Sequence, residues 1–297
     1  MRLRIFFVLV LVFVLPLLAV SAYADSLGPA LLPFAVLGGS AVTNASGGGV
    51  GVATVITGSL GVSPGTSITG FPPGTVVGGT IENNTGPAAA AQLGLTAAIG
   101  TLNALGSPIL VGAGGLSGAS LGPGTYNVTS ATFDMLAGST LTLTGTGQFV
   151  FRMSSTLTLD SGVTVDTSGL GAGSSVYWLA PSDTTAVTLG PNADFQGNIL
   201  ANGAIIFDAG ATDGCGRALS QHKLVSFAGV GTTIEPDVLV AEPNQVGGGC
   251  SGSLANSGGL NGGGPGPGPV SAPEPGTFAL LSSGLAIGGL LTLRKLR

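Results

Sequence analysis

Apolar and polar residues alternate through the centre of the chain. In Thr140-Leu141-Thr142-Leu143-Thr144 leucines interleave with threonines, and the parity then holds through Phe149, Phe151, Met153, Leu157, Leu159, Val163 and Val165. The even-numbered neighbours include Thr142, Arg152, Thr156, Thr158 and Thr164. A period of two sends successive side chains to opposite faces of a strand, so the odd set is expected in the core and the even set outside. Trp178 shares the parity of Val176 and belongs with the core set. The strands are short and broken by glycines, as in Gly145-Thr146-Gly147 and Ser161-Gly162. Such segments suit a sandwich, a barrel or a solenoid. Turns are brief and Asn-Gly hairpin signals few, which favours a coil that turns corners. No exact repeat is visible, so the expected solenoid is irregular.

One segment leaves this pattern. From Gly86 to Gly106, Ala88, Ala91, Leu95, Ile99 and Leu102 fall on one stripe at helical spacing, with Pro87 at the start and Gly106 and Pro108 after the end. Gly94 and Gly100 each weaken this helix by roughly 1 kcal/mol. It is expected to lie against the β body, held by packing more than by propensity.

The two ends read differently from the centre. Arg2 and Arg4, an apolar run from Ile5 to Val20, and Ala22-Tyr23-Ala24 form a signal peptide over 1–24. A β domain is expected over 25–250, and a Gly/Pro-rich linker over 251–272, which includes Asn261 to Pro269. The final stretch, 273–297, holds Pro273-Glu274-Pro275, an apolar transmembrane segment from Thr277 to Leu293, and a basic stop beginning at Arg294. That order resembles the PEP-CTERM sorting signal of Gram-negative bacteria. The resemblance implies an exosortase as partner during processing, transient inner-membrane anchoring, and a cell-surface or extracellular destination.

Charge narrows the partners. Only 7% of the chain is charged, and between Asp25 and Ala272 three basic residues (Arg152, Arg217, Lys223) face twelve acidic ones, a balance of −9. Nucleic-acid binding needs clustered Lys and Arg, and none exist here. A surface of Gly, Thr, Ser and Ala suits an uncharged, hydrogen-bonding partner: carbohydrate, or water itself. Cys215 and Cys250 have no His or Cys at ligand spacing, so no metal site is expected. In an exported protein the expectation is a disulfide tying the tail to the domain, with free thiols as the alternative. Catalytic chemistry is not legible. Asp134, Asp160 and Asp166 read as turn caps, and His222, the one histidine, has no triad partner in sequence. No enzyme and no cofactor are expected.

The order of motifs then adds a family. Thr54-Val55-Ile56-Thr57-Gly58-Ser59-Leu60-Gly61-Val62-Ser63-Pro64 and Ile68-Thr69-Gly70-Phe71 open the domain. The helix, Leu121-Gly122-Pro123-Gly124-Thr125-Tyr126 and the alternating stretch follow. Phe195-Gln196-Gly197-Asn198-Ile199-Leu200 and Gly216-Arg217-Ala218-Leu219-Ser220-Gln221 close it. Over Leu27 to Ile234 this resembles the microbial ice-binding protein family. The resemblance implies a mainly β fold, an irregular right-handed β-solenoid of triangular section with one long α-helix packed alongside. It also implies ice or ordered water as partner, held on a flat solenoid side near Thr-(Ala or Gly)-x-(Thr or Asn) corners. The matching positions are Ala137-Gly138-Ser139-Thr140, Ser161-Gly162-Val163-Thr164 and Ala209-Gly210-Ala211-Thr212, with poorer or offset matches at Pro191-Asn192-Ala193-Asp194 and Val230-Gly231-Thr232-Thr233. The first Thr of the motif is absent throughout, and Asp194 adds a hydrated charge. The resemblance therefore points to Thr140, Thr164, Thr212, Ser161, Asn192 and Thr232 as ice-binding candidates. The competing expectations are an exopolysaccharide-associated adhesive protein and, last, a polysaccharide-cleaving enzyme.

Overall fold

The computed structural model describes residues 27–45, 54–171 and 174–227. The expected signal peptide, linker and sorting segment, with Cys250 and Thr232, lie outside these described residues.

The chain winds through short strands. It opens with β1 (Phe34–Gly38), β2 (Ala41–Asn44), β3 (Val55–Thr57), β4 (Ser59–Val62), β5 (Ser67–Thr69), β6 (Thr75–Val77) and β7 (Ile81–Asn83). Helix α1 (Gly86–Asn103) follows, then β8 (Ile109–Val111), β9 (Ser120–Leu121) and β10 (Gly124–Val128). The next coils are β11 (Thr140–Gly145), β12 (Gln148–Met153) and β13 (Leu157–Leu159), then β14 (Thr164–Leu170), β15 (Ser175–Ala180) and β16 (Thr185–Leu189). The last are β17 (Asp194–Phe195), β18 (Asn198–Ala201) and β19 (Ala204–Phe207), then β20 (Thr212–Asp213), β21 (Arg217–Ser220) and β22 (Val225–Phe227).

These strands stack into the sides of a solenoid, every strand pairing parallel to its neighbours. Side one is a nine-stranded sheet, β7-β4-β1-β21-β18-β15-β12-β10-β8. Side two is six-stranded, β13-β16-β19-β22-β2-β5, and side three is five-stranded, β20-β17-β14-β11-β9. The short pair β3-β6 takes the third place in the opening coils. The coils are not stacked in chain order. β1 pairs with β21 and β2 with β22, so the first coils sit on the last. Helix α1 joins β7 at one edge of side one to β8 at the other.

The parity of the sequence survives in the core. Leu141, Leu143, Phe149, Phe151, Leu157, Leu159, Val163 and Val165 are all buried. Inside, Tyr126, Phe151, Trp178 and Phe195 form a ladder across successive coils, with centroids 5.1, 4.1 and 5.1 Å apart. Offset aromatic contacts of this kind add to the area each ring buries. Trp178 Nε1 donates to the Gln196 carbonyl at 3.1 Å. Gly197 must be glycine there: its φ is +120°, and an added Cβ would meet Trp178 Nε1 at 2.8 Å.

Side one departs from simple alternation because its outer surface is covered too. Val150, Tyr177, Leu179, Leu200 and Leu219 pack outward with Ala88, Ala91, Leu95, Ala98 and Leu102 of α1. The sequence stripe is right except that Ala98, not Ile99, is the fully buried member. Thr85 caps the helix by accepting the Ala88 N–H. At the other end the Arg152 guanidinium donates to the carbonyls of Leu102 (2.8 Å) and Leu105, neutralising the negative helix terminus. The helix stops at Asn103 and is capped at Ala104, before Gly106 and Pro108, which follow its end as expected.

The closing motif locks chain start to chain end. Arg217 is 1% exposed and donates to Phe34 O (2.9 Å), Leu32 O (2.9 Å) and Asn198 Oδ1 (3.1 Å). Gln221 Nε2, just after β21, donates to Thr96 Oγ1 at 2.7 Å, tying the end of that strand to the helix.

Candidate functional site

With side one under α1, sides two and three present strand faces that no helix among the described residues covers. Their register decides what each displays, because a parallel ladder places equivalent outward residues one above another about 4.8 Å apart.

Side three gathers three of the six sequence candidates. Thr140 pairs with Thr164, Thr164 with Asp194, and Asp194 with Thr212, so one rank runs across four coils. Thr140 is exposed and Thr164 half-buried, but Thr212 is only 7% exposed. Thr212 Oγ1 donates to the Ala193 carbonyl (3.3 Å) and to Asp194 Oδ1 (3.4 Å). A second rank holds Ser120, Thr142 and Asp166. The face therefore carries two carboxylates. Desolvation, opposed in part by hydrogen bonds from Gln196 and Thr212, pushes the Asp194 carboxyl up, and the nearby Asp166 charge adds to that. Hydrogen bonds from Ser168 hold Asp166 down. The side is also irregular: β9, β17 and β20 are two residues each, and the register slips between Thr142 and Thr144.

Ser161 and Asn192 are not on that rank. They lie at the corner entering side three, where the Gly138 N–H meets the Ser161 carbonyl and the Asn192 N–H meets that of Ala209. Asn192 has a φ of 57°, which its short polar side chain tolerates.

Side two shows a longer and cleaner array. Its central outward rank is Thr158, Thr188, Ile206, Ser226, Thr43 and Thr69, in continuous register over six strands. Beside it stand Thr185 level with Ala204, and Ala41 level with Ser67. None of the six strands contains Asp, Glu, Lys or Arg. Its one register shift falls at the margin, between Thr185 and Val187. The inward partners Leu157, Val187, Ile205, Val225 and Val42 are buried at 0% exposure, which fixes the outward set by parity. The charged residues nearest in sequence, Asp160, Asp183, Asp208 and Lys223, all lie outside these strands.

No local motif marks this rank, because it is assembled from the first described coils and the last. A weaker signal was present. Thr43, Thr69, Thr158 and Thr188 each follow an inward apolar residue within a very short strand, in Val42-Thr43, Ile68-Thr69, Leu157-Thr158-Leu159 and Val187-Thr188-Leu189.

Of the three acids expected to cap turns, Asp134 and Asp160 lie outside the strands, but Asp166 lies within β14 on side three, where stacking with β11 holds the chain extended. Asp134 accepts the N–H groups of Thr158 (2.9 Å) and Ala131 (3.3 Å), and Asp160 accepts that of Ser161 (2.7 Å). Burial raises the Asp134 carboxyl against those two bonds. Asp213 is enclosed beside Arg217. Burial, with Asp194 adding, drives its carboxyl well above the ordinary range, against the pull of the Gly197 and Cys215 N–H groups and of Arg217. His222 Nδ1 lies 3.8 Å from Asp183 Oδ1, both exposed at a corner. Among the described residues no three His, Cys, Asp or Glu side chains converge as a metal site. Cys215 is buried and disulfide-bonded, while Cys250 lies outside the described residues. No helix among the described residues is long and apolar enough to cross a membrane.

Comparison with known proteins gives a consistent result. Residues 36–233 match the protein family described as "Ice-binding-like". An "Ice-binding protein" of Nostoc sp. (strain HG1) is 40% identical over 199 residues, covering 65% of this chain and 68% of its own length. "Ice-binding protein K3-B1" of Typhula ishikariensis is 32% identical over 213 residues, 64% of this chain and 86% of that protein. Among solved structures, an ice binding protein from an Antarctic biological consortium aligns at TM-score 0.50 with 34% identity, over 66% of this chain and 85% of that one. The ice-binding protein of the Antarctic ascomycete Antarctomyces psychrotrophicus aligns at 0.55 with 27% identity, over 70% and 97%. None of these names describes a catalytic activity.

Proposed function

This chain belongs to the ice-binding-like family, and from that premise we propose that it binds ice through side two of its solenoid. The observation that carries the choice of side is the charge-free outward rank Thr158–Thr188–Ile206–Ser226–Thr43–Thr69. A charge holds its own hydration shell and disrupts a lattice-like water layer. A threonine offers a hydroxyl that anchors one water and a methyl that orders its neighbours. Each contact is weak, and a regular array sums them. Six coils at about 4.8 Å spacing make a rank roughly 24 Å long.

A second reading keeps ice on side three, where Thr140, Thr164 and Thr212 share one register. Two substitutions separate the readings. On side two, Thr188→Tyr should abolish thermal hysteresis and crystal shaping, while Thr164→Tyr leaves them intact. The reverse pattern would move the site to side three. A wild type that neither shapes ice nor lowers its freezing point, yet is retained on an exopolysaccharide column, would favour the adhesive class instead.

Export is part of the same reading. Its support is the signal-peptide pattern of 1–24 and the sorting pattern of 273–297, with exosortase as the processing partner and the inner membrane as a transient anchor. The domain then works at the cell surface or outside the cell, where ice is met.

A further inference from the structure

Resting on the assignment of ice to side two, we infer that Ile206 is the residue that limits that face. Every other member of the central rank carries a hydroxyl. Ile206 stands third of six, between Thr188 and Ser226, and is half-buried and outward-facing.

Its position matters because of what one water can span. Equivalent backbone positions on neighbouring coils lie about 4.8 Å apart, so their hydroxyls lie at or within that reach of each other. A single water bonded at roughly 2.8 Å to each can bridge them. Across Ile206 the nearest hydroxyls, Thr188 and Ser226, are two coils apart, about 9.6 Å, which no single water reaches. The rank is thus divided into Thr158–Thr188 on one side and Ser226–Thr43–Thr69 on the other. In the second run the Thr43 hydroxyl already donates to Ser226 Oγ at 3.1 Å, so its water-facing capacity is partly used. The longest unbroken chain of bridged waters is therefore short, although the ladder beneath it is continuous.

Threonine is the natural repair. Both residues branch at Cβ and hold a stiff χ1 on a strand, so the backbone and core are undisturbed. Ile206→Thr would put a hydroxyl at the gap and join the two runs. Ile206→Val removes the terminal carbon without adding a hydroxyl, and so separates bridging from a simple change of bulk.

The experiment measures hysteresis and crystal shaping of the processed protein and both variants at equal concentration, with melting temperature as the check on folding. Ile206→Thr should raise hysteresis at least about twofold, because the gain is collective along the rank. Ile206→Val should stay at the wild-type level. An active wild type whose Thr variant is no better overturns the inference and leaves the face assignment standing. An equal rise with Val overturns it as well, since no hydroxyl was supplied. Absence of ice activity in wild type and Thr variant alike would overturn the face assignment, and this inference with it.

Discussion

Arg217 is the point at which the first and last described coils are joined, and its loss should be felt at the proposed face. Its guanidinium holds Leu32 O and Phe34 O, just before and within β1, and Asn198 Oδ1 on β18. Asn198 in turn donates to Val176 O at 3.1 Å. β1 leads directly to β2, and β2 supplies Thr43 to the rank on side two. Truncation by Arg217→Ala leaves two carbonyls and the buried Asn198 Oδ1 without their charged donor. Hydrogen bonds to a charged group are each worth about 1.5–3 kcal/mol, but desolvation of the guanidinium offsets much of that sum. Breaking a buried charged network by removing one partner costs about 3–5 kcal/mol, and that is the expected destabilisation. For a folded domain of this size each kcal/mol shifts the midpoint by about 2–4 °C, so Tm should fall by about 6–20 °C. Arg217→Lys should rescue little, because an ammonium cannot present the same planar fork to three acceptors. The assay is thermal unfolding followed by circular dichroism, joined with amide exchange at Val36 and Val42. A Tm change below about 3 °C, or unaltered protection of β1 and β2, would refute the docking role.

Other outcomes follow from the same structure. Leu143→Asp should prevent folding by burying an unpaired charge, while Thr142→Asp, its outward neighbour, should still fold, with only the modest loss in Tm that a like charge opposite Asp166 brings; equal behaviour in circular dichroism would contradict the parity. Stability should rise as pH falls from neutral toward the ordinary carboxylate range. Asp213, Asp134 and Asp194 all have folded pKa values raised by burial, so the folded state binds protons more tightly than the unfolded one. Their contribution is present at low pH and is lost as pH rises through the folded values. A Tm higher at pH 8 than at pH 5 would contradict this, and Asp213→Asn should flatten the profile. Replacing Pro273-Glu274-Pro275 with alanines should leave the C-terminal segment uncleaved and the protein in the inner membrane; identical surface delivery in a strain with the sorting protease would remove the sorting proposal.

The sequence alone determined the strand parity, the helix and its buried stripe, the glycine corners and the family, because these depend on residues close together in the chain. Periodicity in Leu141 to Val165 reports which side of one strand is wet, whatever that strand stacks upon. It could not report that Val150 and Leu179 are buried outward, since that depends on a helix arriving from elsewhere. Nor could it order the coils. Thr140, Thr164 and Thr212 share a corner motif and do share a rank, yet Asp194 enters that rank only through stacking. The rank on side two was less legible still. Thr43 and Thr69 meet Thr158 and Thr188 only because β2 lies on β22, a pairing of the chain's first coil with its last. Register between strands so distant is set by the closure of the core and the Arg217 lock, and only the tertiary structure holds that information.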